Sequence, residues 1–360
     1  MDFTPTEEQR AASELLAAIL DRSAEPLKAW KALCEAGLVA AVEEIGLLGL
    51  VLLLEEAGRR TAAIPLAATC AYGLLPVGAH GTEEQRARLL PGLRDGSYVA
   101  TGAFPHRSAR AVASGDGWRL TGTFPAVPWL RDATHVLVPA AAGRETRLFW
   151  LPVPSGAGPA ESVEPVETTA PWAAGRLVLD GTPAEPLGGG TAYGQVLARA
   201  RTAFAGLQAG VCAGSLALAV AYTSVREQFG RPLSTNQGVL LRAADAYMDT
   251  EAIRVTSYEA AWRFDNGLPA DSHALTAAWW ASEGGKRVVH AGQHLHGGIG
   301  ADLEHPVHRH FLWGRQLDAY LGGGAEVLAE LGALLGAPDK DADKEEDKDK
   351  HEHQHEEESV

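Results

Sequence analysis

Two short stretches hold the residue types best suited to chemistry. Arg226-Glu227-Gln228-Phe229-Gly230-Arg231-Pro232 groups two guanidinium forks, an amide and an aromatic ring about one glycine. His294-Leu295-His296-Gly297-Gly298-Ile299-Gly300 follows about two helices later. A guanidinium presents paired donors that match phosphate oxygens. Glycine turns let a backbone approach a ligand closely, and helix N-termini favour anions. The chemistry suggested is the gripping of a phosphate-bearing ligand. Read singly, each stretch is also an ordinary helix exit, with Arg226 in water and Phe229 in the core.

Six histidines, His290, His294, His296, His305, His308 and His310, invite a metal reading. His290 and His294 are one helical turn apart, but no cysteine or glutamate stands beside them in a metalloprotease arrangement. Packed, hydrogen-bonded histidines are expected instead of a metal. The three cysteines, Cys34, Cys70 and Cys212, are too scattered and too few for a disulfide framework.

The elements that must position these residues fall into three textures. Residues 1–96 read as a helical domain. Thr6-Glu7-Glu8-Gln9 opens one helix with an N-cap and early acids, Leu33 to Gly37 and Ala41 to Gly58 read as two more, and Gly81-Thr82-Glu83-Glu84-Gln85-Arg86 opens another. Residues 97–186 alternate tryptophan, valine and threonine with polar residues. Trp118–Gly122, His135–Val138, Thr146–Leu151 and Gly175–Leu179 are the expected strands, and Gly115-Asp116-Gly117 the hairpin turn. They suggest a small β-barrel or two packed sheets, and residues 181–190 read as a linker by composition. Residues 187–337 return to helix: Gln195 to Ser224, rich in small residues, Gln237 to Asn266, Asp271 to Ala291, His308 to Leu321 and Ala325 to Leu335. The fold class is α+β.

Residues 338–360 have a composition expected to be disordered, an acidic tail in which His351, His353 and His355 are read as solvated. From Asp339 onward the tail holds 11 acids and 4 lysines, so −7 of the formal −15 sits there and −8 is left for the rest. Net negative charge argues against a nucleic-acid partner. No basic region followed by an apolar one opens the chain, and apolar runs such as Gly46 to Leu54 are too short for a bilayer. The expectation is a cytoplasmic protein with no membrane partner.

In order and content, the two opening stretches resemble the C-terminal half of the acyl-CoA dehydrogenases. There Arg-x-x-Phe-Gly and a Gln-x-x-Gly-Gly turn grip the pyrophosphate and adenosine of an FAD held mainly by a neighbouring subunit. The resemblance implies the acyl-CoA dehydrogenase fold (helical domain, β domain, helical bundle) over roughly Thr4 to Gly336. It also implies that Arg226, Gln228, Phe229, Gln237, His294 (where the family has glutamine), Gly297 and Gly298 bind FAD. Gly-Thr-Glu-Glu-Gln before Leu-Pro-Gly-Leu matches the N-terminal domain, although the Gly-rich connection near Val39 to Ile45 is shortened. Tyr98 and Thr101 fall where the family touches the isoalloxazine. Ala126-Val127-Pro128 replaces the Trp-Ile-Thr strand that backs it, with Val127 at the contact position. Glu304-His305-Pro306-Val307-His308 resembles a turn of relatives active on bulky, steroid-like CoA esters.

Such enzymes remove an α-proton with a carboxylate while a hydride leaves the β-carbon. The family's two base positions fall here on Gly322 and Ala200, the latter beside Arg201. Glu326, four residues past Gly322, would lie about 5 Å along a helix axis. No catalytic residue is therefore expected in this chain. A grip without a base fits the non-base subunit of an α2β2 heterotetramer acting in lipid metabolism, specifically steroid degradation, with a homologous partner supplying the glutamate. Two alternatives stand beside it: a homotetrameric flavoprotein with a displaced base or another flavin reaction, and a non-catalytic scaffold that binds no flavin.

Overall fold

The structure is a computed structural model; it describes all residues except Met1, Ala24, His106, Arg107, Asp116, 154–162 and 338–360. The acidic tail, its three histidines and the centre of the Gly115–Gly117 turn therefore lie outside the described residues.

Helix α1 (Glu7–Arg22) starts at the expected cap. The Thr6 hydroxyl accepts from the Gln9 N–H at 3.3 Å, and the Gln9 side chain returns the contact to the Thr6 N–H at 3.0 Å. Helix α2 (Pro26–Glu35) takes in Leu33, where a separate helix was expected, because the chain turns only at Gly37, in the left-handed region at φ 74°. Helix α3 (Leu38–Arg59) breaks at Gly46, with φ 75° and ψ −172°. The Asp265 carboxylate accepts the N–H groups of Leu47 and Leu48 at 2.7 and 2.9 Å, capping the half-helix from 218 residues away. Asp265→Ala is expected to cost about 2 kcal/mol through loss of this cap, readable as a lower midpoint in urea unfolding. Helix α4 (Leu66–Thr69), a π-turn (Cys70–Leu74) and α5 (Leu75–His80) run on to α6 (Glu83–Asp95), which repeats the capping box with Thr82 and Gln85.

Strands β1 (Ala100–Gly102), β2 (Arg110–Ser114), β3 (Gly117–Val127), β4 (His135–Ala142), β5 (Glu145–Pro152), β6 (Val163–Pro165) and β7 (Gly175–Leu187) form one sheet. Pairing runs β4-β2-β3-β7-β5, and β5 pairs back on β4, so these strands close a barrel with β1 and β6 attached. Residues 181–187, expected as linker, are strand. Thr182, Pro183 and Ala184 pair with β3, and Glu185, Pro186 and Leu187 then switch to β5. Tertiary pairing overrides a turn-rich composition here.

His135 of β4 lies flat against Trp150 of β5, ring centroids 5.2 Å apart, and burial lowers its pKa from 6.5 to about 4. The unfolded chain binds the proton more readily, so this contribution is full above pH 6.5 and is lost as pH falls toward 4. His135→Phe should flatten the decline of thermal midpoint across that window.

Helix α7 (Ala192–Val225) is the axis of the C-terminal bundle, with α8 (Gln237–Asp265), α9 (Asp271–His296), α10 (Pro306–Tyr320) and α11 (Gly324–Leu335) around it. Contrary to the reading of short apolar runs, α7 is long and apolar enough to cross a membrane, but 72% of its apolar window is buried within the fold. Its small residues serve close crossing with α3: a Cβ on Gly210 would lie 1.9 Å from the Glu55 carbonyl oxygen, and one on Gly58 2.2 Å from that of Leu207.

Candidate functional site

The last turn of α7 delivers Arg226 to solvent. Strands β8 (Glu227–Gln228) and β9 (Arg231–Pro232) then form a two-residue hairpin whose turn residues, Phe229 and Gly230, both have positive φ, 55° and 75°. This is the primed turn that suits a tight hairpin, with phenylalanine where glycine or asparagine is usual. The Phe229 ring is 100% exposed, not buried in the core as the plain reading had it. The side chains of Arg226, Gln228 and Arg231 make no hydrogen bond or ion pair among the described residues. Gln237, exposed, opens α8 just past the Asn236 cap.

The second stretch differs from its sequence reading, since α9 runs on through His296 before Gly297 turns it at φ 66°. His294, Gly297 and Gly298 are exposed. The Gln293 amide donates to the Gly300 carbonyl at 3.1 Å and closes the turn. His296, almost fully buried, donates Nδ1–H to the Gly292 carbonyl at 2.7 Å, and its ring stacks on Tyr222 at 4.9 Å. Tyr222 accepts the Arg226 N–H through its carbonyl, so this stack binds the two stretches into one end of the bundle. Sequence reasoning missed Tyr222; its place one turn before Arg226 was the available signal. Apolar side chains stand exposed nearby, among them Val225, Leu240 and Leu241.

The isoalloxazine contacts do not join this site. Thr101 is fully buried and donates its hydroxyl to the Pro128 carbonyl at 2.5 Å, Val127 is 1% exposed, and Tyr98 packs edge-on against His135. Beside them Trp129 stacks on Trp172 with centroids 4.6 Å apart and planes at 16°. Trp172 meets Trp313 and Tyr320 edge-on, Phe204 meets Tyr320, and the Tyr320 hydroxyl donates to that of Tyr72 at 3.1 Å. Phe204, which touches Trp129, precedes Arg226 by 22 residues, about 33 Å of helix. Arg226, Gln228 and His294 present donors to solvent at one end of the bundle, the chemistry a pyrophosphate would need, while Thr101 and Val127 are enclosed.

At the base positions Ala200 is fully buried, and Gly322 sits at φ 111° after Leu321. Arg201 donates to the Leu321 carbonyl and forms a two-pronged pair with Glu330, at 2.6 and 2.9 Å. A cavity of about 570 Å³ opens there, lined by Gly194, Gln195, Ala198, Arg201, Asp271 and Glu330 among others, and includes none of Tyr98, Thr101 or Val127. The expected axial displacement of Glu326 is corrected. Gly322 precedes α11 and is not helical, and Glu326 Oε2 lies 3.6 Å from where a Cβ on Gly322 would stand.

No group of three or more His, Cys, Asp or Glu that could hold a metal ion occurs among the described residues. His305 caps α10 through Nδ1, His290 packs on Phe311, and His310 lies between the Pro306 and Arg59 carbonyls.

Comparison with known proteins agrees with the fold. Residues 6–97 match the acyl-CoA dehydrogenase N-terminal domain model and residues 188–333 the C-terminal domain model. The chain is 32% identical to acyl-CoA dehydrogenase FadE27 of Mycobacterium tuberculosis over 371 residues, covering 92% of this chain and 98% of the relative. It is 30% identical to FadE28 of the same organism at the same coverage. Among solved structures, the Tcur3481-Tcur3483 steroid ACAD G363A variant superposes with TM-score 0.86 at 40% identity, over 92% of this chain and 98% of that one. The ChsE4-ChsE5 complex from Mycobacterium tuberculosis superposes with TM-score 0.86 at 29% identity, over 94% and 100%. With both terminal domains matched and relatives aligned along nearly their whole length, the chain belongs to the acyl-CoA dehydrogenases, a family of FAD-dependent oxidoreductases.

Proposed function

We propose that the chain is the non-base subunit of a heteromeric acyl-CoA dehydrogenase that desaturates a bulky acyl-CoA, with steroid side-chain esters the expected class. One contrast carries this reading: Arg226, Gln228, Phe229 and His294 face solvent, while the family's base positions hold Gly322 and Ala200. FAD, when bound, supplies the hydride acceptor for the β-carbon. Arg226 pairs with its pyrophosphate, Gln228 and His294 donate neutral hydrogen bonds, the Gly297-Gly298 backbone permits close approach, and Phe229 shields the adenosine end from water. The α-proton goes to a glutamate of a homologous partner, which also faces the isoalloxazine. The exposed Val225, Leu240 and Leu241 are the apolar surface that such a partner would cover. Similarity to two steroid-linked or two-component assemblies, Tcur3481-Tcur3483 and ChsE4-ChsE5, supports the pairing.

The carboxylate of Glu326 beside Gly322 favours a second reading, a homotetramer with a displaced base. Co-expression with a candidate partner and measurement of colour, stoichiometry and turnover separate the two. A yellow, active complex together with a colourless, inactive chain alone is the expected result. A yellow homotetramer that turns over acyl-CoA and loses that turnover on Glu326→Gln would overturn it. A colourless chain inactive with every partner would leave the scaffold role.

A further inference from the structure

A second cavity, of about 540 Å³, lies away from the clamp where the end of α3, the α1–α2 connection, α10 and Pro171 meet. At its wall Thr61 sits at φ 47°, a backbone conformation that a β-branched residue almost never adopts. Strain of this kind persists where the surroundings enforce it, often at ligand sites. Thr61 is 8% exposed, and its hydroxyl has no protein hydrogen-bond partner among the described residues and is open to solvent. The neighbouring Ala63 N–H also donates to no described group.

The charges around this cavity do not balance. Asp21 is already held by Arg60 through two contacts of 2.6 and 3.0 Å, and Glu56 is paired with Arg59 and Arg60. Arg309, exposed on α10, makes no side-chain hydrogen bond or ion pair among the described residues. The groups with no protein partner here are thus a cation, a hydroxyl and an amide N–H, all able to donate, and the buried Trp313 indole N–H also lacks one among the described residues. Leu20, Ala29, Ile64, Pro171 and the Trp313 ring make the wall mostly apolar, and Ser23 on it is already bonded to the Glu25 carbonyl.

We propose that this cavity is a binding site for an organic monoanion, a carboxylate or phosphate head carried on an apolar body. The head lies against Arg309, Thr61 and the Ala63 N–H, and the body against Trp313 and Ile64. The volume suits a small ligand. The site is separate from the clamp and does not depend on the role assigned to it.

Calorimetric titration of the full chain with decanoate, decyl phosphate and decanol tests the proposal. Saturable 1:1 binding is expected for at least one anion, at least roughly tenfold tighter than for decanol, with the tighter head naming the source. Arg309→Gln should weaken that binding roughly tenfold or more. Thr61→Gly supplies a readout that no packing role would give. It should raise the thermal midpoint by removing the strained side chain, and weaken anion binding by removing the hydroxyl. No saturable anion binding, equal binding of decanol, or binding unchanged in both variants would overturn the proposal.

Discussion

Arg226→Ala is expected to lower the affinity of the proposed complex for FAD roughly 30-fold, the equivalent of about 2 kcal/mol for one charge-assisted contact made away from bulk water. The side chain is exposed and makes no hydrogen bond or ion pair among the described residues, so the variant should fold and assemble as the parent does. Arg226→Lys should fall between the two, because an ammonium keeps the charge but loses the planar fork. The measurement is flavin absorbance retained after gel filtration, followed by fluorescence titration of added FAD. Equal flavin content in parent and alanine variant would remove the clamp from the argument, whatever the subunit composition proves to be.

Glu55→Ala should destabilise the chain by about 3 kcal/mol, the lower end for breaking a buried ion pair. Glu55 is 5% exposed and accepts from Arg254 at 2.8 and 3.0 Å, from Arg59 at 3.0 Å and from the Tyr258 hydroxyl at 2.7 Å. Its removal leaves the half-buried Arg254 guanidinium beside helices α3 and α8 without its main counter-charge. Pairing the change with Arg254→Met should recover part of the loss, since the half-buried guanidinium is then gone; Arg59 keeps Glu56, and Glu251, which loses Arg254, is the more exposed of that residue's two carboxylate partners. Urea unfolding of the four proteins gives the coupling directly. A single-variant loss below about 1 kcal/mol would mean that water reaches this network more freely than its burial implies.

The chain's local signals and its three-dimensional pairing divided the work unevenly. Capping at Thr6 and Thr82, the helical–β–helical order, and the spacing of Arg226, Gln228, Phe229, Gly297 and Gly298 were all legible in the sequence, because each depends on residues within a turn or two of one another. The fates of Thr101, Val127, Gly322 and Glu326 were not. Thr101 is closed in by a hydrogen bond to the Pro128 carbonyl, 27 residues on, and Val127 pairs with Gly175 across the sheet, while Glu326 returns toward Gly322 only because the chain bends before α11. Residues 181–187 became strand for the same kind of reason, since β3 and β5 offered them partners. The sequence by itself determined which side chains could grip a dinucleotide. Only the tertiary structure decided that Thr101 and Val127 are enclosed while Arg226, Gln228 and Phe229 stand in solvent, because burial is set by residues that meet only on folding.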